Sequence, residues 1–449
     1  MVPPSSLSLA TPQGGRPSAA RQSRFRGGKL GLSLALGALL ALGSTAAQAQ
    51  SSPWYLGTAL SFNHDNNLLR LGRTQPPPSG ESQADTVTSL ALVGGIDQPV
   101  GRQRYTGSIT LRDNRFERNE KYNNQSYSGS LGWQWSSVNR LSGSVSAGAS
   151  RALSTFNADG VGVLTSRNYE TTKGLNGSLS LGVVTEWSLE LGVGTRTVRN
   201  SLDDPLARSR DYDQDNGSFG LAWRPSSLIN FGLGLREIHG TFPRFRSNGG
   251  VDEEDLFKQQ QLEFTTRWQA AGASVLDLRL AGGDTGYDTN AARDFSSTSG
   301  SLAWTWQPTG RVRLISSFAR DDGRDNYPST IFAFPFGLVP ITLTDRRVID
   351  TLRLQADWEA SAKVGLSSSL QNSRRSVERE RYFLNGNPAA ALETGVDSTT
   401  IFTLSARWAP TRGSLLGCEL RDERRAASGT ITSDLRGTSF NCYTQVTLQ

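Results

Sequence analysis

Residues that build reactive or metal-binding sites are scarce in this sequence. Its 449 residues include two cysteines, two histidines and one methionine. His64 and His239 stand far apart along the chain, which argues against a histidine-rich metal site. Neither histidine lies in a recognisable nucleophile motif. We therefore expect a protein that is not an enzyme and that holds no catalytic residues, no cofactor and no metal.

Long apolar runs are scarce as well. Leu30–Leu42 is an apolar run of 13 residues, which is too short to span a bilayer as a helix. Basic residues from Arg16 to Lys29 precede it, and Ala-Gln-Ala follows at 47–49. This order is typical of a secretory signal peptide with its cleavage site. We assign residues 1–49 to a signal peptide and residues 50–449 to one mature domain.

The mature chain carries almost no net positive charge. Five of the 47 basic residues and none of the 41 acidic residues lie within residues 1–49. The mature chain therefore keeps 42 basic residues against 41 acidic ones. A nucleic-acid partner is excluded, because the basic balance belongs to the leader.

Alternation of apolar and polar residues is what the sequence has in abundance. In LAWTWQPTGRVRLISSF, Leu302–Phe318, the alternation stops at a Pro-Thr-Gly turn and then resumes. Similar runs of about ten residues are joined in pairs by very short turns, and longer polar connections separate the pairs. Eight such hairpins and one strand at each end predict 18 strands. The pattern indicates an all-β fold, a transmembrane antiparallel β-barrel of the bacterial outer-membrane type.

The tryptophans favour a membrane barrel over a soluble β-sandwich. All ten lie at the short-turn end of a strand or at the start of the first strand, on the same side. Tryptophan prefers the membrane–water interface, so we predict an aromatic girdle at the periplasmic rim with outer-membrane lipid against the barrel. The girdle comprises Trp54, Trp133, Trp135, Trp187, Trp223, Trp268, Trp304, Trp306, Trp358 and Trp408.

Residues of the opposite parity are predicted to face a watery lumen. Many of them are charged, and two interpretations stay open. The charges neutralise each other across strands, or the excess of arginine favours an anionic solute. The candidate lumen charges are Arg196, Arg236, Arg267, Arg279, Arg311, Arg313, Arg353, Arg407 and Arg421, with Glu190, Glu263, Asp277, Asp357 and Glu419.

The two cysteines are predicted to form a disulfide. The connection between their strands is centred near residue 430, midway between Cys418 and Cys442, so simple hairpin register sets them opposite each other. Both fall on the lipid-facing parity. Directly opposed residues of an antiparallel pair have the separation that a disulfide needs, and the periplasm is oxidising.

One external connection, Tyr327–Asp345, is apolar where the others are polar. An exposed apolar patch of this kind would be unusual, so we expect it to be covered. Its three prolines argue against a simple extension of the strands. We predict a compact loop that either folds inward as a constriction or packs on the rim, with candidate residues Phe332, Phe334, Phe336, Leu338 and Val339.

The stretch LSFNHDNNLLRLG, Leu60–Gly72, carries a family resemblance. Asp65, Asn67, Leu68, Leu69 and Arg70 match an Asp-x-Asn-hydrophobic-hydrophobic-Arg signature, and Trp-x-Pro recurs at 223–225, 306–308 and 408–410. With these residues the chain resembles the EpsL-type outer-membrane proteins of exosortase-associated exopolysaccharide clusters. The resemblance implies a Gram-negative outer-membrane protein in exopolysaccharide biosynthesis or export. Its implied partners are the polymer in the lumen and periplasmic export components.

Other functions fit a barrel of this kind. A general or anion-preferring diffusion porin, carrying another solute, is the main alternative. A surface-binding barrel whose long loops engage a partner is another. A TonB-dependent receptor is disfavoured, because Trp54 begins a strand within a few residues of the cleavage site and leaves no stretch for a plug domain.

Overall fold

A computed structural model describes residues 52–448, apart from residues 139, 155–156, 159–161, 164–165, 183–185, 249–250, 272, 289–292, 334–336, 384–392, 430 and 432. The predicted signal peptide, residues 1–49, lies outside the described residues. Within the described part of the chain, no helix is long and apolar enough to cross a bilayer.

The described chain is almost entirely β-strand. A 3-10 turn (Glu120–Tyr122) and a one-turn helix (Pro205–Arg208) lie in connections. The strands are β1 (Trp54–Asp65), β2 (Asp85–Val100), β3 (Gln103–Phe116), β4 (Asn124–Ser136), β5 (Leu141–Leu153), β6 (Asn157–Ala158), β7 (Gly162–Val163), β8 (Tyr169–Leu181), β9 (Trp187–Asn200), β10 (Tyr212–Ser226), β11 (Ile229–Asn248), β12 (Val251–Ala271), β13 (Ser274–Tyr287), β14 (Phe295–Thr309), β15 (Val312–Ala333), β16 (Gly337–Glu359), β17 (Val364–Phe383), β18 (Glu393–Thr411), β19 (Ser414–Gly429) and β20 (Leu435–Leu448).

Eighteen of these strands form one closed antiparallel barrel, which confirms the predicted fold. The short strands β6 and β7 form a separate ribbon, so that β5 pairs with β8. Otherwise each strand pairs with its neighbour in sequence. The barrel closes where β1 meets β20, with Leu56 opposite Leu448 and Asp65 opposite Ser439.

Short turns join the strand pairs at one rim, which we call the turn rim; the opposite rim is the loop rim. The turn between β2 and β3 consists of Gly101 and Arg102. Gly101 has φ of 59°, a conformation that glycine adopts without steric cost and that two-residue hairpin turns require. The strand ends that flank all eight predicted short turns lie at the turn rim.

The strands differ in height, which the sequence did not reveal. β1, β3, β4 and β5 have 12 to 14 residues. β11, β12, β15, β16 and β17 have 20 to 23 residues. The expectation of long irregular connections throughout the loop rim was therefore wrong for the hairpins that these long strands form. Much of the sequence assigned to loops there continues the antiparallel ladder.

The outer face carries a belt of exposed apolar side chains, as the parity argument predicts. Leu189, Leu191, Leu233, Leu235 and Leu404 are among the large apolar residues that remain exposed. The ten tryptophans lie toward the turn rim, and nine of them are exposed, whereas Trp135 is half-buried. Trp187 stands opposite Trp223 with ring centroids 5.7 Å apart, so these two tryptophans of neighbouring strands contact each other at the rim.

The cysteines lie opposite each other on the last two strands. Cys418 and Cys442 are register partners, their Cα atoms are 4.1 Å apart, and a disulfide joins them. They share the outward parity of Leu416 and Leu420, which are exposed. The structure thus places the bond where hairpin register predicts it.

Candidate functional site

The lumen holds a cavity of about 2290 Å³, lined from nearly every strand of the barrel. The residues that line the cavity extend from Arg311, beside the turn rim, to Asn63, near the loop rim. An 18-stranded barrel leaves room for such an aqueous interior. The lumen is therefore the candidate functional site.

One side of the lumen is lined by small uncharged polar residues. We call the inner face of β2–β8 the hydroxyl wall. Its cavity-lining polar residues are Ser89, Ser108, Thr110, Asn114, Asn124, Ser126, Ser128, Ser130, Ser146, Ser150, Thr172 and Asn176. Hydroxyls bond across strands, as between Ser108 and Ser130 at 2.8 Å. The charged residues lining the cavity on this side are Arg112 and Lys173.

The other side is rich in paired charges. We call the inner face of β11–β19 the charged wall. Three predicted arginines meet predicted acids: Arg267 with Asp277 at 3.4 Å, Arg279 with Glu263 at 2.7 Å and Arg313 with Asp357 at 2.9 Å. Arg407 pairs with Glu359 at 3.6 Å and Arg421 with Glu423 at 3.1 Å, two acids that the sequence prediction missed. Ion pairs, four of them between strands and the Arg421–Glu423 pair within β19, therefore account for eight of the fourteen predicted lumen charges.

Other predicted charges stay outside this ladder. Arg353 donates a hydrogen bond to Gln355 at 3.0 Å. Arg196, Arg236 and Arg311 line the cavity and have no carboxylate within ion-pair distance among the described side chains. Glu190 and Glu419 likewise have no cation beside them in the described part of the chain. Among the predicted charges, four arginines (with Arg353) and two acids therefore lack an ion pair with a described side chain, and this imbalance favours an anion slightly.

Buried ion pairs brace the tall strands above the cavity. Arg293 and Asp255 lie 2.6 Å apart with almost no exposure, and Arg379 and Asp345 lie 2.6 Å apart. The Arg293 guanidinium also stacks on Tyr287, with its central carbon 4.2 Å from the ring centroid. Such pairs need complete hydrogen bonding to offset their desolvation, and they fix the strands that supply them. Their partners lie far apart in sequence, and the sequence analysis did not find them.

An apolar cluster lies inside the loop rim at the end of β1. Leu69 and Leu71 are fully buried against Phe116 and Tyr122. Leu68, Val87 and Leu153 pack around them, and all three line the cavity. We call these seven residues the mouth cluster. They fold the connection after β1 into the barrel instead of leaving it in solvent.

The residues of the Leu60–Gly72 signature build the turn that carries this cluster. The Asn67 side chain exchanges two hydrogen bonds with the backbone of Leu71, each of 2.9 Å. Arg70 has φ of 53°, an uncommon conformation for a residue other than glycine. Asp65 holds it there through an ion pair of 2.9 Å. The signature therefore has a structural role, which is to present Leu68, Leu69 and Leu71 to the lumen.

The prediction of a compact loop at Tyr327–Asp345 was wrong for the backbone that the structure describes. Residues up to Ala333 belong to β15 and residues from Gly337 belong to β16, with Phe332 opposite Leu338 and Ile331 opposite Val339. The prolines do not prevent pairing, because each forgoes only one amide donor. Phe334 and Phe336 lie outside the described residues, as do the side chains of Phe332, Leu338 and Val339. The constriction itself stays a prediction.

No group of three or more metal-binding side chains occurs among the described residues. His64 bonds Thr86 at 3.1 Å, and His239 contacts Glu237 at 2.6 Å; both histidines are exposed.

Sequence comparison finds no relative: no protein-family model matches, and no curated protein matches either. The fold is similar to solved outer-membrane receptors. A variant of the ferric enterobactin receptor PfeA from Pseudomonas aeruginosa is 10% identical, with 89% of this chain and 81% of that chain covered and a TM-score of 0.44. The siderophore receptor PirA from Acinetobacter baumannii is 8% identical over 90% and 81%, with a TM-score of 0.39. The FrpB iron transporter from Neisseria meningitidis is 9% identical over 89% and 82%, with a TM-score of 0.41. Likeness at this level shows the fold alone, which is the closed 18-stranded barrel.

Proposed function

We propose that this chain is a Gram-negative outer-membrane barrel that takes part in exopolysaccharide export, as the passage for the polymer or as a component of the export machinery. The turn rim then faces the periplasm and the loop rim faces the outside. The exposed apolar belt and the tryptophans along one rim support the membrane placement.

The observation that carries the proposal is the hydroxyl wall. A saccharide presents hydroxyl groups in every direction, and each needs a donor or an acceptor when it leaves bulk water. Serine, threonine and asparagine side chains both donate and accept, and they are short enough to leave the channel wide. Water-filled space between them lets a polymer exchange hydrogen bonds as it moves. The resemblance of Leu60–Gly72 to exopolysaccharide-cluster proteins is a second, independent support.

An anion-preferring diffusion porin is the second candidate. The unpaired guanidinium groups of Arg196, Arg236 and Arg311 favour it, because they line the cavity without a carboxylate beside them. In that reading the hydroxyl wall is a general hydrophilic surface. Lipid and solute would be the only partners.

Deletion of the gene in the bacterium that makes the protein separates the two candidates. The export proposal predicts less polymer outside the cell and polymer retained in the periplasm, both restored by a plasmid copy. Immunoblotting of outer-membrane fractions confirms that the plasmid copy is assembled. Unchanged polymer with slower uptake of small anions would identify a porin, and unchanged polymer with unchanged uptake would also reject the export role.

A further inference from the structure

A band of aromatic rings crosses four adjacent strands inside the loop rim. β10, β11, β12 and β13 each contribute one ring of lumen-facing parity: Tyr212, Phe242, Phe257 and Tyr287. Successive ring centroids lie 5.6 Å, 5.9 Å and 5.9 Å apart. Tyr212 and Phe257 are also stacked, with an interplanar angle of 2°. We call these four residues the aromatic band.

The backbone makes room for this band. A β-carbon at Gly240 would come 2.1 Å from the Phe257 ring, so only glycine lets the ring lie across β11. Behind the band, Tyr287 is covered by the guanidinium of the buried Arg293. Tyr212, Phe242 and Phe257 remain half-buried. The band thus keeps partly accessible rings, supported from behind by a fixed cation.

The band lies directly above the cavity. One lumen position nearer the turn rim on β10 and β12 are Gln214 and Gln259, and both line the cavity with Asn216 and Gln261. Three of these four side chains are glutamine amides, and each offers donors and an acceptor. A molecule that rests on the rings therefore meets hydrogen-bonding groups at its lower edge.

Two arginines without acidic partners line the lumen between the aromatic band and the turn rim. Arg196 is one strand away from Tyr212 and two residues nearer the turn rim, which puts their Cα atoms about 8 Å apart. Arg236 lies on β11 opposite Gln261, six residues nearer the turn rim than Phe242, and its Nε is buried without a hydrogen-bond partner among the described residues. Both arginines line the cavity, and neither has a carboxylate at ion-pair distance among the described side chains.

We propose that the aromatic band, with Arg196 and Arg236, forms a binding subsite for an acidic saccharide, such as a uronic acid unit of a polymer. The apolar face of a sugar ring packs on the aromatic rings, its hydroxyls bond the glutamine amides, and its carboxylate pairs with a guanidinium. This inference rests on the proposed function and narrows it, because it names an anionic polymer as the substrate class. A simple anion would pair with the arginines and would make no contact with the rings.

Binding of defined oligosaccharides to the purified barrel tests the subsite. Calorimetry in detergent micelles compares three hexamers: oligogalacturonate, a hyaluronan fragment and the neutral maltohexaose. We expect at least one acidic hexamer to bind about ten-fold more tightly than the neutral one, since a charge-assisted pair is added to the same stacking. Failure of both acidic hexamers to bind, or equal affinity for acidic and neutral hexamers, would overturn the proposal.

Matched variants locate the binding. Arg236→Gln should reduce the affinity for the acidic hexamer to that for the neutral one, while Phe257→Leu should weaken both by about ten-fold. Arg311→Gln is the control, because Arg311 also lines the cavity without an ion pair but lies beside the turn rim. It should leave affinity unchanged, and heat-modifiable migration on gels confirms that each variant is folded. Equal losses in Arg236→Gln and Arg311→Gln would reject a local site.

The deletion experiment and the binding experiment can fail separately. If the acidic hexamer binds at the band but the deletion strain still releases its polymer, the export role fails and the subsite stands. If the deletion blocks release and neither acidic hexamer binds, the subsite fails and the export role stands.

Discussion

The hydroxyl wall and the charged wall belong to the same closed sheet but differ in the length of their strands and in the side chains of their inner faces. The hydroxyl wall is low, with β3, β4, β5 and β8 of 13 or 14 residues, and its inner face carries small side chains. The charged wall is tall, with β15 and β16 of 22 and 23 residues, and long side chains are braced against each other. The strands that rise highest also hold the buried ion pairs.

This difference indicates how a barrel can extend beyond a bilayer. In the proposed membrane placement, lipid covers the outer face of the apolar belt, and the closed hydrogen-bond ladder needs no further support there. Above the belt both faces meet water, so the hairpins need other contacts to stay ordered. On the charged wall those contacts are the ion pairs and the aromatic band. At the loop rim of the hydroxyl wall, the mouth cluster supplies the contacts instead.

The largest effect on stability should follow from breaking a buried ion pair of the charged wall. Asp255→Ala leaves Arg293 buried without its carboxylate, which costs about 3–5 kcal/mol in comparable cases. Urea unfolding of the barrel in lipid, followed by tryptophan fluorescence, measures the loss. Asp97→Ala is the control on the low wall, because its pair with Arg104 is exposed and should cost at most about 1 kcal/mol. Equal losses would remove the distinction between the walls.

Truncation of the mouth cluster should have the next largest effect. Leu69 is fully buried, and Leu69→Ala should cost about 2–5 kcal/mol through lost burial and a residual cavity. Hydrogen exchange should show the loss locally, at residues 67–71 and at Tyr122. Leu235→Ala on the exposed outer belt is the control, since it opens no cavity. If exchange rises across the whole barrel instead, the cluster is part of the global fold and not a local closure.

Ion selectivity should depend on the unpaired arginines more than on the paired ones. In planar bilayers the unmodified barrel should prefer anions slightly, and Arg196→Gln with Arg236→Gln should move the reversal potential toward cation preference. The double variant Arg313→Gln with Asp357→Asn removes a neutral pair and should leave the reversal potential unchanged. Cation preference in the unmodified barrel, or an equal shift in both double variants, would contradict this assignment.

A pH dependence should be the smallest effect. Burial raises the pKa of the Tyr122 hydroxyl, and its hydrogen bond to Glu81 at 2.9 Å adds to the rise. Because the unfolded tyrosine ionises near pH 10, its contribution is complete below about pH 10 and is lost as pH rises beyond that. Urea midpoints at about pH 8 and about pH 11 should therefore differ more in the wild type than in Tyr122→Phe. The same difference in both proteins would assign the alkaline sensitivity elsewhere.

Local sequence rules predicted the parts of the structure that depend on local geometry. Period-two alternation and short turns set strand number and the two faces, and hairpin register placed Cys418 opposite Cys442. The height of the tall wall could not be predicted, because polar residues such as Arg379 and Asp345 suit a loop as well as a paired strand. Their pairing with each other, across 34 residues of sequence, is what places them in strands.

The candidate site was predicted in composition but not in arrangement. Parity identified Arg196 and Arg236 as lumen residues, yet which arginines remain unpaired depends on neighbours in other hairpins. The aromatic band has a sequence signal, since parity gives Tyr212 and Phe257 the same orientation as the lumen arginines. The mouth cluster has none: Tyr122 and Leu69 come from different connections, which meet only when the barrel closes.

The disulfide between Cys418 and Cys442 has a consequence for the order of events in assembly. Its sulfurs lie on the outward face, one ladder position from Leu416, the partner of Trp408. Thiol–disulfide exchange proceeds through a thiolate, and an apolar bilayer accommodates none. In a membrane the bond must therefore form before the barrel inserts, and reductants dissolved in water do not reach it afterwards. The final strand then arrives at β1 already fastened to its neighbour, so closure joins a two-stranded unit to the wall.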